Sequence, residues 1–320
     1  PENPQIAINY LIKKGYKTSD LIATGTFGQS QYNRRLYDRF QGRLVFPLSD
    51  YRGRILGFSG RLLPTSKNQN SGKYINSPET EIYHKSQMFY GLNLAKESIK
   101  KNNLAIIVEG ELDMISPYQA GIENVVAIKG TALTEEQLQL IRRYAETLIL
   151  GLDSDFAGNK AMIRSIELAD KMDFEIKILD LEEKYKDPDE AINKDLDFFK
   201  KKLNEAETIW DFILASSVKN YGIDSPRGKK LILATVLPFL AKINNLVIRA
   251  DYIKKVSQTI DSDEESVAEE FKKYLNQNKE SISNLKKINK IEEKGDMRER
   301  LEERYLILAL RLQKPKIAIK

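Results

Sequence analysis

The sequence predicts an α/β fold, a parallel sheet with helices on both faces, flanked by an α+β amino-terminal subdomain and a helical carboxyl-terminal subdomain. Three observations carry this prediction. Short apolar runs alternate with helical segments over 104–181, two apolar runs enclose a turn over 43–63, and the Leu/Ile/Phe spacing beyond Asp195 is helical throughout. At 320 residues the chain is long enough for two or three modules, each with its own core.

Taken in order, residues 4–22 hold apolar positions at helical spacing around Gly15-Tyr16, which predicts two short helices. The stretch RLVFPLSDYRGRILGFSGRLL predicts a β-hairpin turning at 49–53, and PTSKNQNSG a polar loop. Next, LAIIV reads as a buried strand, 111–120 as a helix stopped by Gly121, and NVVAI as a second strand. Thr134 and Gln137 have capping-box spacing and open a helix to about Tyr144. TLILGL is a third strand, 157–172 a helix, and EIKILDL a fourth strand. Right-handed crossovers between such strands cover both faces of a parallel sheet. The last helix, 291–312, stops before Pro315. The division expected is 1–100 basic α+β, 101–195 α/β, 196–290 helical, and 291–320 a helix leading onward.

Composition narrows the chemistry. There is no cysteine and one histidine, His84, so disulfides, thiol nucleophiles and zinc held by Cys or His clusters are excluded, and any metal must sit on oxygen ligands. Hydrophobic residues make up 41%, charged residues 30%, and mean hydropathy is −0.45, with no run long enough for a membrane helix. An opening PENPQIAINY without Met or a signal-peptide apolar region predicts an internal segment of a cytoplasmic protein. The net charge of +5 is unevenly spread: residues 31–100 hold 12 basic and 5 acidic side chains, residues 101–200 hold 12 and 21. A polyanion-binding module followed by a cation-binding module fits that order, as does plain solvated surface.

In parallel α/β sheets ligands bind beyond the carboxyl ends of the strands. Glu109 directly follows LAIIV, Asp153 ends TLILGLD with Asp155 two residues on, Asp187 and Asp189 follow EIKILDL in KDPDE, and Asp113 lies one helical turn past Glu109. Singly, each reads as a loop carboxylate or helix cap. Jointly they form an acidic rim whose mutual repulsion a divalent cation relieves, and oxygen donors suit Mg²⁺ or Mn²⁺.

The set VEGELD, KGTALT, LDSDFAG and KDPDE resembles the Toprim module of bacterial DnaG-type primases. YDRFQGRLVFPLSDYRGRILGFSGR and GKYINSPETEIYHKSQMFYG, in that order ahead of it, resemble the amino-terminal subdomain of the same primase core, and the helical region after Asp195 resembles its third subdomain. The resemblance implies synthesis of short RNA primers on a single-stranded DNA template from ribonucleoside triphosphates, through a nascent RNA–DNA hybrid, with Mg²⁺ or Mn²⁺ at two or more sites. It implies Glu109, Asp153 and Asp155 as catalytic residues, and these with Asp113, Asp187 and Asp189 as metal ligands. Lys73 and Lys85 are point charges suited to triphosphate or to the template backbone, with Arg61 also expected at the nucleotide, and Arg39, Arg43, Arg52 and Arg54, joined by Arg61, are expected to track template phosphates. Tyr74, Tyr83 and Phe89 could stack bases or fill the core, and His84 reads as structural.

Two positions depart from the family pattern. Asp153-Ser154-Asp155 replaces Asp-Gly-Asp, and Glu111 stands where the family carries a bulky aromatic; neither removes a carboxylate that the family uses, but Glu111 adds negative charge near the rim. The family's zinc module has no ligands here, so no zinc is expected. Its helicase-binding domain is expected to be missing apart from a first helix in 297–312, leaving contact with the replicative helicase to that missing part. Another Toprim protein, a nuclease or topoisomerase, and a non-enzymatic Toprim scaffold that binds DNA remain as alternatives. No module resembles a topoisomerase DNA gate, and no G-x-x-x-x-G-K-[ST] is present to make a primase–helicase fusion.

Overall fold

The computed structural model describes residues 3, 5–66, 72–129, 132–151, 160–182, 184–243 and 245–277. The expected sites Asp153 and Asp155, Gly130-Thr131 of KGTALT, and the expected helix 291–312 lie outside the described residues. The chain divides into two compact units, residues 1–215 and 216–320.

The first unit opens with the two expected helices, α1 (Ile6–Lys13) and α2 (Thr18–Ala23), followed by a small antiparallel pair, β1 (Phe27–Gln29) and β2 (Leu36–Asp38). The expected hairpin is β3 (Arg43–Ser49) and β4 (Ile55–Leu62), to which β5 (Tyr74–Asn76) adds a third antiparallel strand. Its turn is held by Asp50, whose carboxylate accepts the backbone N–H groups of Arg52 and Arg54, both at 2.9 Å, with Gly53 supplying the left-handed residue at φ +88°.

The second sheet has strand order β10-β9-β8-β6-β7: β6 (Leu104–Val108), β7 (Val125–Ala127), β8 (Thr147–Gly151) and β9 (Glu175–Ile178) are parallel. Ala105 to Val108, Val125 to Ala127 and Leu148 to Leu150 are all buried, so both faces of this sheet are covered, as the uninterrupted apolar runs predict. The chain leaves β6 for β7 on one side and returns past it to β8 on the other, which puts the topological switch point at the carboxyl end of β6. The crossover helices are α4 (Glu111–Gln119), α5 (Glu135–Ile141), capped by Thr134 as its spacing predicts, and α6 (Lys160–Lys171). In this part of the chain two features differ from the expectation. The helix α3 (Leu92–Asn102) precedes β6, and the expected all-helical stretch beyond Asp195 is interrupted by β10 (Glu207–Thr208), which pairs antiparallel with β9 and closes that edge of the sheet.

The α+β part is tied to the second sheet by backbone. Tyr90 and Ala127 exchange N–H···O bonds of 2.8 and 3.0 Å, extending the sheet past β7. Gln137 Nε2 donates to Met88 O at 2.8 Å, and Tyr83, Phe89 and Leu48 are fully buried. Tyr83 and Phe89 are therefore core residues. Gly91, at φ +83°, opens α3 with Met114 packed where a Cβ would stand. The unit continues through α7 (Pro188–Lys194) and α8 (Leu196–Asn204) into α9 (Ile209–Tyr221), within which the division between 215 and 216 falls.

In the second unit, α10 (Pro226–Leu240) is N-capped by Ser225, and α11 (Leu246–Thr259) by Asn245, whose side chain accepts from the N–H groups of Val247 and Ile248. A further helix covers 264–277, and Ile232, Val236, Leu240, Val256, Ile260 and Phe271 are buried. Among the described residues no helix is long and apolar enough to cross a membrane.

Candidate functional site

Beyond the carboxyl end of β6 a cleft of about 470 Å³ opens within the first unit, between the three-stranded sheet and the parallel sheet. One wall presents Ser59, Arg61, Lys73, Tyr74 and Asn76 from β4, β5 and the residue before β5. The other presents Glu109, Glu111, Asp113, Ile128, Lys129, Lys186, Asp187 and Asp189. The basic block and the acidic block of the sequence meet here.

Local structure explains how the carboxylates converge. Gly110 follows Glu109 as the N-cap of α4, and its N–H donates to Asp113 Oδ2 at 3.0 Å. Asp113 Oδ1 accepts the backbone N–H of Asp189 at 3.3 Å, while Asp189 Oδ1 accepts Asn193 Nδ2 at 2.8 Å and the hydroxyl of Ser116. Asp187 caps α7 by accepting the N–H of Glu190 at 2.8 Å, with Pro188 in the first turn. The KDPDE turn is thus fastened to the start of α4, and a segment 76 residues away in sequence joins the end of β6. A carboxylate has roughly four lone-pair sites, so one or two N–H bonds leave room for a cation.

Glu111 does not stand in the cleft as a loose charge. It is buried and paired with Lys129 Nζ, both side chains being 4% exposed, and the ammonium lies 5.4 Å above the Tyr90 ring. Burial, with the Lys85 ammonium nearby, lowers Lys129 to about 7, a pull that the Glu111 carboxylate opposes. The expectation that Glu111 adds negative charge to the rim is therefore corrected, because its counter-charge is built in. The pairing escapes the sequence reading because the partners sit 18 residues apart, on different strand–helix turns.

On the basic wall, the Arg61 guanidinium lies 5.7 Å over the ring of Tyr74, which is 41% exposed. Burial pushes the Tyr74 phenol up, Arg61 pulls it back, and the Asp113 and Asp189 carboxylates add to the rise. Ser59 Oγ and Asn76 Oδ1 line the same wall, are buried, and have no hydrogen-bond partner among the described residues. Buried polar atoms left open toward a cleft fit a polar ligand.

The other basic candidates stand elsewhere. Lys85 lies outside the cleft in a short 3-10 turn, near enough to Lys129 to act on its charge. Arg43 donates Nη1 to the carbonyls of Gly60 (3.1 Å) and Lys73 (3.2 Å), clamping the three strands together. Arg54 is paired with Asp50 at 2.7 Å, Arg52 lies over the Tyr51 ring at 5.2 Å, and Arg39 is exposed just past β2. His84 pairs with Glu79 at 3.2 Å. Among the described residues no three acidic side chains form a ready metal cage. The chemistry of the donor set nonetheless fits a hard divalent cation, since the cleft offers carboxylate oxygens and no thiolate or imidazole.

Comparison with known proteins gives a consistent picture. The sequence profile for the DNA primase catalytic core, N-terminal domain, matches residues 1–96, and the Toprim-like profile matches 106–192. The profile for the DnaB-helicase binding domain of primase matches 211–265. That last match overturns the expectation that such a domain is missing but for 297–312; helical periodicity alone does not distinguish it from a third subdomain of the core. A DNA primase from Clostridium acetobutylicum is 35% identical over 293 residues, covering 88% of this chain and 46% of that protein. The chain spans less than half the length of the curated relatives it matches. A crystal structure of a DNA primase domain from Pseudomonas aeruginosa superposes with a TM-score of 0.66 at 29% identity, covering 81% of this chain and 82% of that one. The DnaG primase catalytic domain bound to single-stranded DNA gives 0.65 at 28% identity, covering 83% of each.

Proposed function

Since the chain belongs to the bacterial DnaG-type DNA primases, as the core of the RNA polymerase region with its Toprim module, we propose that it makes short RNA primers on single-stranded DNA by divalent-metal-dependent nucleotidyl transfer. The observation that carries this reading is the single cleft in which Arg61 and Lys73 face Glu109, Asp113, Asp187 and Asp189. A triphosphate needs cationic side chains at one end and a cation-binding rim at the other, and the cleft supplies both.

Glu109 acts in catalysis, as a ligand or as base toward the attacking 3′-hydroxyl, with Asp153 and Asp155 as principal ligands and Asp113, Asp187 and Asp189 completing the rim. These carboxylates would hold Mg²⁺ or Mn²⁺, which would supply charge neutralisation for the α-phosphate and the departing pyrophosphate. Arg61 and Lys73 orient the triphosphate, and Lys85, from outside the cleft lining, adds positive potential near Lys129. Arg39, Arg43, Arg52 and Arg54 contribute to a groove for template phosphates and for the nascent RNA–DNA hybrid. Residues 211–265 are the segment proposed to meet the replicative helicase. The four modules proposed are 1–100, 101–195, 196–290 and 291–320, in a cytoplasmic bacterial protein.

The test is to incubate the chain with single-stranded template, labelled ribonucleotides and Mg²⁺ or Mn²⁺. Short RNA complementary to the template is expected. Template cleavage without RNA, or binding with no chemistry at all, would contradict the assignment.

A further inference from the structure

We propose that Glu111 and Lys129 are a charge-compensating pair that sets the affinity of the cleft for its divalent cation. The inference rests on the metal reading given above. Glu111 lies between Glu109 and Asp113 in sequence and lines the same cleft, so its carboxylate alone would add one negative charge to the rim. Lys129 answers it from the end of β7. Both side chains are nearly excluded from water, so no solvent shell screens either one, and each is the other's counter-charge. As an ammonium set against a carboxylate, the pair sums to zero. The departure at Glu111 thereby changes the chemistry of the wall while leaving the charge seen by a bound cation unaltered. The other charged groups facing it, Lys85 and the carboxylates of the rim, stay as they are in every variant below.

The sign of the effect separates this role from a merely structural one. Lys129→Met strands the Glu111 carboxylate beside the rim, and one unit charge within roughly 10 Å of a divalent cation shifts its affinity about tenfold at an intermediate effective dielectric. Loosened packing would act in the opposite direction. Mn²⁺ binding to the whole chain, followed by the electron paramagnetic resonance signal of free Mn²⁺, should therefore tighten about tenfold in Lys129→Met. In the double variant Glu111→Gln/Lys129→Met it should return to within about twofold of the parent, as a coupled pair requires. Lys129→Gln strands the same carboxylate and replaces Lys129→Met if thermal melting shows that the latter does not fold. Unchanged or weaker Mn²⁺ binding in a folded single variant would overturn the proposal, as would a double variant that keeps the single variant's affinity. If the parent chain binds no Mn²⁺, the metal reading falls and the pair's role with it; if the parent binds and the single variants do not move, only the pair's role falls.

Discussion

Glu109→Gln is expected to lower primer synthesis by about 10³-fold while leaving affinity for single-stranded DNA within about threefold, because general-base and ligand roles of a carboxylate are typically worth two to four orders of magnitude. The substitution keeps the volume at the end of β6 and removes only the charge. Glu109 follows a strand with Ala105 to Val108 fully buried, so the backbone that presents it does not depend on its side chain. Parallel primer-synthesis and fluorescence-anisotropy measurements check both halves. Near-wild-type synthesis would remove Glu109 from the chemistry, and an equal loss of template affinity would make it a binding residue.

The second large effect is that of salt on template binding. Four to six phosphate contacts, at about 0.7 log unit of slope each for single strands, lower affinity about 50- to 300-fold between 50 and 200 mM salt. The geometry decides which arginines test this cleanly. Arg43 holds two backbone carbonyls and Arg54 is tied to Asp50, so replacing either one disturbs the hairpin as well as the groove. Arg39 and Arg52 are exposed, and Arg39→Ala and Arg52→Ala should each flatten the log–log slope by about 0.7 without a change in melting temperature. An unchanged slope would return these residues to solvated surface.

The parallel sheet was legible because its strands are apolar runs bounded by glycine and polar turns; β6 matches its run from Leu104 to Val108. The short strands were not. β1, β2 and β10 have two or three residues each and show no period, and β5 lies in a segment read by resemblance alone. Helix α3 has only Leu92, Ala95 and Ile99 on its buried side amid three lysines and two asparagines, a weak stripe beside the strong run that follows. At the site, strand-end logic finds Glu109, Asp113, Asp187 and Asp189, since each lies within a few residues of a strand or helix terminus. It misses Lys129, Ser116 and Asn193, whose roles come from contacts between two strand-end turns, between α4 and α7, and within α7, respectively.

The central claim is that basic and acidic walls form one nucleotidyl-transfer cleft. Anomalous diffraction from crystals soaked with Mn²⁺ and a ribonucleoside triphosphate tests it most directly. The account predicts Mn²⁺ peaks beside Glu109, with the triphosphate spanning from there to Arg61 and Lys73. A cleft that stays empty at saturating Mn²⁺, while metal and triphosphate bind together elsewhere on the chain, would contradict it.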